Sequence, residues 1–435
     1  GRDAPLPQNA LWRKEHLGRH RRHHPQSSRK ALRVKIASPS FLDDARLRRL
    51  FDALDGNGEE LRVVGGAVRN HFMQRDVHEI DLATTALPET IIARAKTAGL
   101  KSVPTGIEHG TITVIVDHTP FEITTLREDV ETDGRRAKVL FGRDFEKDAL
   151  RRDFTFNALS VSADGTVHDY ADGMADIAAR HVRFIGDPAT RIREDYLRIL
   201  RYFRFHAAFA EGEADAAALK AIVENRTGLD GLSRERIRAE LMKLLDTKQA
   251  HETLALMSGL DLLMPLVKGA YCLTRLGGLP HDTEPLLKLA ALALLKSEDA
   301  ARLQDVLRLS NAETLRLTRC AQAMDALHGA DMPDAQNIRI LLLHFGRKAV
   351  LDALALTKAQ APHSDWEKTL HLAAELPEPK LPVSGADLVA RGMEPGKAIG
   401  DALARIETKW IAAGFPEDAQ SVEALVTSTL AATAK

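Results

Sequence analysis

The spacing of apolar and polar residues divides the chain into a mixed first part and a helical remainder. Apolar residues between 41 and 54 recur at helical spacing and predict an amphipathic helix. Short apolar runs predict strands, which cover 61–66, 79–85, 111–116 and 121–126. Beyond about residue 185 the strand pattern ends and helical spacing continues. The pattern therefore predicts an α+β fold, with a small mixed-sheet head followed by an all-helical neck, body and tail.

Changes in this pattern define four segments along the chain. Residues 1–35 are rich in Arg, Lys and His with almost no apolar periodicity, which predicts a disordered basic arm. We assign 36–165 to the head, 166–250 to a helical neck and 251–435 to a helical body and tail. The arm is expected to be a solvated tail rather than an RNA-binding element, although a mitochondrial presequence has a similar basic, acid-poor composition.

The composition narrows the class of protein. Among 435 residues, Lys and Arg total 60 and Asp and Glu total 61, for a net charge of -1. This balance excludes a uniformly basic nucleic-acid-binding surface but allows local basic patches. Cys272 and Cys320 lie far apart in the sequence, so neither a zinc cluster nor a disulfide scaffold is expected, and a cytoplasmic location fits. No apolar run approaches the roughly 20 residues of a membrane span.

Two motifs in the head carry candidate chemistry. Gly65 and Gly66 lie between a predicted strand and a helix, where backbone N–H groups can approach an anion, and Arg69 follows just inside that helix. Glu79 and Asp81 are two positions apart on a predicted strand, so both carboxylates point to one face and form a natural Mg2+ site. Glu122, on another strand, either joins this cluster or faces solvent. On the residues alone, a tight turn and an exposed charged strand end remain open as explanations.

The order of several motifs points to a known family. The segments VVGGAVRN, EIDLATTALPE, HGTITV, RRDFTFNAL, REDYLRILRYFRF and LSRERIRAEL follow one another between about residues 60 and 250. Together they resemble the class II template-independent nucleotidyltransferases, which include bacterial CCA-adding tRNA nucleotidyltransferase and bacterial poly(A) polymerase. The resemblance implies a polymerase-β-like head in which Glu79, Asp81 and Glu122 are catalytic and Glu79 and Asp81 bind Mg2+.

The resemblance also implies roles for residues that would bind the nucleotide. Asp153 would accept a hydrogen bond from the ribose 2′-hydroxyl and so select ribonucleotides, and Arg152 would bind the triphosphate. Further contacts with the nucleotide or the RNA end are implied for Asn157, Arg191, Arg201 and Arg204. The neck-bracing ERxxxE pattern of the family corresponds to Glu235, Arg236 and Glu240.

Asp195 and Arg198 suggest how bases are selected without a template. At positions i and i+3 of a predicted helix they share one face, and together they offer a donor and an acceptor. Cytosine and adenine present the matching acceptor and amino group. Uracil and guanine would leave polar groups unpaired, at a cost of roughly 1–3 kcal/mol per group. The family resemblance implies this role, whereas an ordinary intrahelical salt bridge is the alternative.

Two positions depart from the family pattern, and two glycines suggest movement. Glu79 stands where the family usually has aspartate, and Asn70 stands where an acid usually follows the glycine turn. Glutamate still binds Mg2+, but its extra methylene moves the oxygen, which lowers activity unless the backbone compensates. Gly173 and Gly186 lie where a hinge between head and neck would allow the switch from C to A selection.

The function predicted from these observations is CCA addition to tRNA. The chain would transfer CMP and AMP from CTP and ATP to the tRNA 3′ end and release pyrophosphate. Three alternatives remain open: poly(A) polymerase, one half of a split C-adding and A-adding pair, and a non-catalytic tRNA-binding paralogue. The expected partners are tRNA, CTP and ATP, with no membrane and no stable protein partner.

Overall fold

The computed structural model describes residues 32–35, 39–129, 139–328, 332–361 and 365–431. The chain divides between Leu232 and Ser233 into two compact units. Over the described ranges, no helix is both long enough and apolar enough to cross a membrane.

The first unit combines a mixed sheet with helices. Its strands are β1 (Leu32–Lys35), β2 (Leu61–Val64), β3 (Asp81–Thr84), β4 (Lys101–Gly106), β5 (Thr111–Val116), β6 (Thr119–Thr125), β7 (Arg127–Asp129), β8 (Val139–Phe141), β9 (Ser160–Ser162) and β10 (Thr166–Asp169). Its α-helices are α1 (Ala45–Leu54), α2 (Gly66–Phe72), α3 (Pro88–Thr97), α4 (Phe145–Leu150), α5 (Gly173–Ala178), α6 (Pro188–Glu194), α7 (Leu197–Phe209) and α8 (Ala216–Asn225). Short 3-10 helices cover Ser40–Asp43, Ile107–His109, Thr155–Asn157 and Arg226–Gly231.

Eight of the described strands form one sheet in the order β1-β10-β9-β2-β3-β6-β5-β4, and β7 pairs with β8. Neighbours in the large sheet are antiparallel except β3 and β6, which run parallel. A parallel pair needs a long crossover, and here α3, β4 and β5 supply it. In the central strand β2 every residue is buried, which is why its sequence is apolar apart from Arg62. The mixed-sheet head predicted from the sequence is therefore confirmed.

Aromatic rings from the chain between α4 and α6 pack against the neck helix α7. Phe154 and Phe156 stack with ring centroids 5.5 Å apart, and Phe205 of α7 meets both edge-on at 5.4 and 5.2 Å. Phe184 stacks on Tyr202 of the same helix at 5.6 Å. Such aromatic pairs add to the stability gained from burial alone. They hold Asp153, the neighbour of Phe154, against the neck helix.

In the second unit, the described residues form helices joined by loops, with no strand among them. Its helices are α9 (Arg234–Leu245), α10 (Ala250–Gly259), α11 (Leu263–Val267), α12 (Leu273–Gly277), α13 (Pro285–Ala293), α14 (Asp299–Leu307), α15 (Asn311–Leu327), α16 (Ala335–Phe345), α17 (Arg347–Gln360), α18 (Asp365–Glu375), α19 (Gly385–Ala390), α20 (Lys397–Ala412) and α21 (Ala419–Ala431). This agrees with the predicted helical remainder.

Three predicted boundaries differ from the structure. The arm predicted over 1–35 lies outside the described residues except for Leu32–Lys35, which forms β1 and pairs with β10. The head does not end at 165, because the hairpin of β9 and β10 crosses that position. Helix α9, which we assigned to the neck, belongs to the second unit, where it packs against α13 and α14.

Candidate active site

Two carboxylates lie side by side where the central strands begin and end. Asp81 is the first residue of β3, paired on one side with Val64 at the end of β2 and on the other with Glu122 in β6. Because β3 and β6 are parallel, both acidic residues occupy the same level of the sheet. Asp81 and Glu122 both reach solvent at this end of the sheet, although protein atoms surround part of the Asp81 carboxylate.

The prediction that Glu79 and Asp81 share one strand is wrong. Strand β3 begins at Asp81, and Glu79 lies in the segment before it, exposed to solvent. The alternation rule that would align the two carboxylates therefore does not apply. Partial burial of the Asp81 carboxylate raises its pKa, and the charges of Glu122 and Glu79 raise it further. Glu79 thus contributes negative charge near Asp81 from outside the strand.

The glycine turn lies directly beside Asp81 and is flanked by two arginines. Gly65 has a φ of 64°, which favours glycine, and it leads from β2 into α2. A Cβ at Gly65 would stand 3.1 Å from Nη1 of Arg152, and one at Gly66 would stand 3.7 Å from Nη2 of Arg69. The paired glycines therefore give both guanidinium groups room next to the turn.

Arg152 is held by a buried carboxylate that the sequence analysis did not single out. Asp148 on α4 accepts from Nη2 of Arg152 at 3.1 Å and from Nε of Arg151 at 2.9 Å. Burial alone would raise the pKa of Asp148, but the two arginine charges outweigh it, and the pKa lies below its ordinary value. The sequence carries only a weak signal for this contact, because α4 ends at Leu150 and both arginines follow its last residue.

A chain of hydrogen bonds links the glycine turn to the neck helix. Nη1 of Arg69 donates to Oδ1 of Asn157 at 2.7 Å, and Nδ2 of Asn157 donates to Oδ1 of Asp153 at 2.9 Å. Nε of Arg201 on α7 donates to Oδ2 of Asp153 at 2.6 Å. The predicted residues Arg69, Asn157, Asp153 and Arg201 thus form one network within the first unit.

Asp153 is buried and fully engaged in this network. Its Oδ1 also accepts from the Phe154 backbone N–H at 2.9 Å. Burial alone would raise its pKa, but Arg201 and the hydrogen bonds to Asn157 and the backbone lower it below the ordinary value. A ribose hydroxyl would have to compete with Arg201 for this carboxylate, so its predicted role in ribose selection stays a prediction.

Positive charge gathers around one aromatic ring of the neck helix. The guanidinium carbons of Arg69, Arg201 and Arg204 lie 5.0, 5.5 and 4.1 Å from the Phe205 ring centroid. Burial, together with the nearby charge of Arg204, lowers the pKa of Arg69 to about 10. Grouped guanidinium groups favour a polyanion such as a triphosphate. The sequence missed Phe205, although it stands four positions after Arg201 on the same helix.

Asp195 and Arg198 do not lie on one helix as predicted. Helix α6 ends at Glu194 and α7 begins at Leu197, and Asp195 between them has extended dihedral angles of -157° and 107°. Its Oδ1 accepts from the Leu197 N–H at 3.1 Å. Nη1 of Arg198 donates to the carbonyl of Arg191 at 2.9 Å and also binds Glu194. The carbonyl of Arg151 accepts from Arg191 and Arg198, so the neck reaches the residue next to Arg152.

The remaining predicted residues lie elsewhere or have other partners. Glu235, Arg236 and Glu240 are on α9 in the second unit, where Glu240 is buried. Their bracing of the neck stays a prediction. Gly173 is packed tightly, because a Cβ there would overlap the Thr155 carbonyl. Over the described residues, no group of three or more His, Cys, Asp or Glu side chains is arranged to hold a metal ion.

Comparisons with known proteins cover both units. Residues 61–183 match the family described as Poly A polymerase head domain, 215–272 match the probable RNA and SrmB-binding site of polymerase A, and 280–426 match the putative tRNA nucleotidyltransferase domain 2. The mitochondrial CCA tRNA nucleotidyltransferase 1 of Danio rerio is 37% identical over 391 residues, which cover 87% of this chain and 89% of the relative. The CCA-adding enzyme of Lacticaseibacillus paracasei is 32% identical over 409 residues, 91% of this chain and 98% of the relative.

A solved structure agrees with these relatives. The crystal structure of the Bacillus stearothermophilus CCA-adding enzyme in complex with CTP matches with a TM-score of 0.71 and 26% identity over 89% of this chain and 98% of that chain. The mixed-sheet head, the helical remainder and the matched families define an RNA nucleotidyltransferase. The chain belongs to the CCA-adding tRNA nucleotidyltransferase family, which confirms the resemblance seen in its motifs.

Proposed function

We propose that this chain adds C, C and A to the 3′ end of tRNA. The observation that carries the proposal is the Asp81–Glu122 carboxylate pair beside a glycine turn flanked by Arg69 and Arg152, in a chain of this family. In the reaction, the RNA 3′-hydroxyl attacks the α-phosphate of CTP or ATP. The bond from the α-phosphorus to the bridging oxygen breaks, and pyrophosphate leaves.

The carboxylates fit a divalent cation such as Mg2+. Adjacent ionised oxygens repel each other unless a cation neutralises them; burial first, and then this repulsion from Glu122 and Glu79, raise the pKa of Asp81. Mg2+ is usually bound by one or two carboxylates plus substrate phosphates, so a site completed by the triphosphate suits it. Asp81 and Glu122 would hold the ion, with Glu79 nearby. When bound, such an ion lowers the pKa of the attacking hydroxyl and neutralises charge on the leaving group.

The arginines would hold the triphosphate. Arg152 is oriented by Asp148, and Arg69 is oriented by Asn157, so both guanidinium groups are fixed before the substrate arrives. Arg201 and Arg204 add charge from the neck helix. A preoriented arrangement of this kind stabilises the developing negative charge without reorganisation during the reaction.

Asp195 and Arg198 would read the base. Asp195 lies in the break between α6 and α7, where its carboxylate accepts from the Leu197 N–H at the start of the helix that carries Arg198. Arg198 donates to the Arg151 carbonyl, next to the triphosphate-binding Arg152. This hydrogen bond supports the proposal, because it would tie the base-reading residue to the backbone beside the triphosphate-binding residue.

The proposal is tested with three tRNA transcripts that end before CCA, after C and after CC. Each is incubated with Mg2+ and with CTP, ATP or both, and product lengths are read on a sequencing gel. Three additions that then stop would support CCA addition, whereas addition at only some ends would indicate a split enzyme. No extension with retained tRNA binding would favour a non-catalytic paralogue. In that case, strong activity gained by Glu79→Asp would identify a decayed metal site.

A poly(A) polymerase is the second candidate, because residues 61–183 match a family described as the Poly A polymerase head domain. Long tails formed with ATP alone would favour it in the same assay. The cytoplasmic location stays a prediction, since matched relatives include enzymes named as mitochondrial. Fractionation of cells that express the tagged chain would test it.

A further inference from the structure

The ring of Tyr196 lies directly against the backbone of Gly228. A Cβ at Gly228 would overlap the Tyr196 ring at three of its carbon atoms, so this position has no room for any side chain. The φ of Gly228 is not positive, so its backbone conformation is one that any residue can adopt. The requirement for glycine is therefore one of space alone.

Tyr196 occupies the break that separates the two base-reading residues. It follows Asp195 and immediately precedes α7, which carries Arg198. The Asp195 carbonyl accepts from the Arg198 N–H at 3.0 Å, and the Tyr196 carbonyl accepts from the Ile199 N–H at 3.1 Å. Any shift of Tyr196 therefore moves the backbone of both residues.

Gly228 presents its backbone from a braced segment. It lies in the 3-10 helix Arg226–Gly231, which continues directly from α8. Helix α8 in turn packs along α6, the helix that ends just before Asp195. The contact between Tyr196 and Gly228 thus fastens the break to the same layer that supports α6.

We propose that the Tyr196 ring, packed on the Gly228 backbone, sets the position of Asp195 and Arg198 and so determines nucleotide selectivity. The inference rests on the proposed function. Selection by hydrogen bonds depends on placement, because a correct base must pair every buried polar group and a wrong base must not. A misplacement of about 1 Å is enough to lower a rate by about a hundredfold. Tyr196 and Gly228 act as positioning residues and need not touch the substrate.

The test compares Gly228→Ala with Gly231→Ala. Both glycines lie in the same 3-10 helix, but a Cβ at Gly231 meets nothing within 4 Å. We measure kcat/KM for CTP and for UTP on a tRNA that ends before CCA. Gly228→Ala should lower the CTP-to-UTP ratio at least about tenfold, which corresponds to about 1.4 kcal/mol and is the size of effect expected when a single polar group is left unpaired. Gly231→Ala should leave the ratio within about twofold of wild type.

Variants of Tyr196 separate positioning from folding. Tyr196→Phe keeps the ring and should retain the wild-type ratio, whereas Tyr196→Ala should lower it as Gly228→Ala does. In the Tyr196→Ala background, Gly228→Ala should have no further effect, because the ring that the new methyl group would displace is gone. If Gly228→Ala does not fold, Tyr196→Ala and Tyr196→Phe still decide the question.

Loss of activity without loss of selectivity would overturn the inference. In that outcome Gly228→Ala and Tyr196→Ala lower kcat/KM equally for CTP and UTP, as a purely structural contact would. Equal effects of Gly231→Ala and Gly228→Ala would also overturn it. Equilibrium binding of CTP and UTP is measured on the same variants. A wild-type chain that binds CTP selectively but transfers nothing would refute the proposed function, and the binding ratios of the variants would still test the inference.

Discussion

The ion pair between Asp153 and Arg201 offers a direct test of how the head is joined to the neck helix. Nε of Arg201 lies 2.6 Å from Oδ2 of Asp153. The Asp153 side chain is 9% exposed, whereas the Arg201 side chain is 30% exposed. The two partners therefore differ in their exposure to solvent, and neutralising each one alone should cost a different amount of stability. Asp153→Asn and Arg201→Gln are the two changes to compare.

The exposed fractions of the two side chains determine how much stability each change should cost. Removing one partner of a buried ion pair costs about 3–5 kcal/mol, because the other charge is left uncompensated. Arg201→Gln leaves the buried Asp153 carboxylate without its partner, so we expect the free energy of unfolding to fall by an amount within this range. Asp153→Asn leaves the more exposed Arg201, which water partly solvates, and we expect a smaller loss of about 2–3 kcal/mol. The double variant should lose less than the sum of the two single losses.

The assay must report on the first unit. Both tryptophans in the described residues, Trp366 and Trp410, belong to the second unit, so their fluorescence does not follow this site. Hydrogen exchange with mass spectrometry on peptides from 145–162 and 197–209 reads the relevant segments. Glu224→Gln is the control, because Glu224 forms an exposed pair with Lys220 at 3.4 Å and should change stability by about 0.5 kcal/mol or less.

The pH dependence gives a second, independent check. The folded pKa of Asp153 is lowered from the ordinary 3.8, so its stabilising contribution is complete above that value and is lost as the pH falls through the folded pKa. The cost of Asp153→Asn should therefore be equal at pH 7 and pH 5. In Arg201→Gln the buried Asp153 loses its partner and its pKa rises, so that cost should shrink as the pH falls. Equal, additive losses with no pH difference would refute this account of the pair.

Three further changes follow from other contacts. Asp148→Asn should release Arg152 and raise the KM for CTP about tenfold in steady-state kinetics, since it removes about 1.4 kcal/mol of preorientation; an unchanged KM would contradict it. Asp81→Asn should abolish transfer yet raise the melting temperature by about 1 °C. The raised pKa of Asp81 means that burial and the neighbouring Glu122 make its ionised form, present above the ordinary 3.8, unfavourable in the folded chain; lower stability would count against this. Gly173→Val should impair C and A addition together, because its side chain would overlap the Thr155 carbonyl; loss of A addition alone would instead support the hinge hypothesis.

The predictions from sequence succeeded where a local pattern and the tertiary structure impose the same requirement. The strand before the glycine turn is apolar because β2 is buried in the middle of the sheet, so its pattern was visible. The long helical remainder was equally clear from its period. The start of β3 could not be predicted from its sequence pattern. Glu79 and Ile80 continue the alternation of the strand, but pairing with β2 begins only at Asp81. Alternation alone does not reveal where a ladder begins.

The arrangement of the site depended on contacts that no local spacing encodes. The sequence alone does not show whether Glu122 joins the acidic cluster or faces solvent elsewhere. The parallel pairing of β3 and β6 places it beside Asp81. The helix expected to carry both Asp195 and Arg198 is broken between them, and the extended Asp195 that breaks it sits within a sequence of good helix formers. There the Tyr196 ring rests on Gly228, more than thirty positions along the chain. Tertiary packing overrides intrinsic propensity at this position.

These contacts connect the two parts of the proposed nucleotide site, base reading and triphosphate binding. The Arg151 carbonyl accepts hydrogen bonds from Arg191 and Arg198 of the neck, while the next residue, Arg152, flanks the glycine turn. Under the proposed function, a shift of the neck helices would therefore alter base reading and triphosphate binding together. A wrong base that displaces Arg198 would remove one hydrogen bond from the Arg151 carbonyl and so loosen the backbone next to Arg152, whose guanidinium stays bonded to Asp148. In the proposed site, selectivity would then depend on this backbone link between the two subsites as well as on the hydrogen bonds to the base.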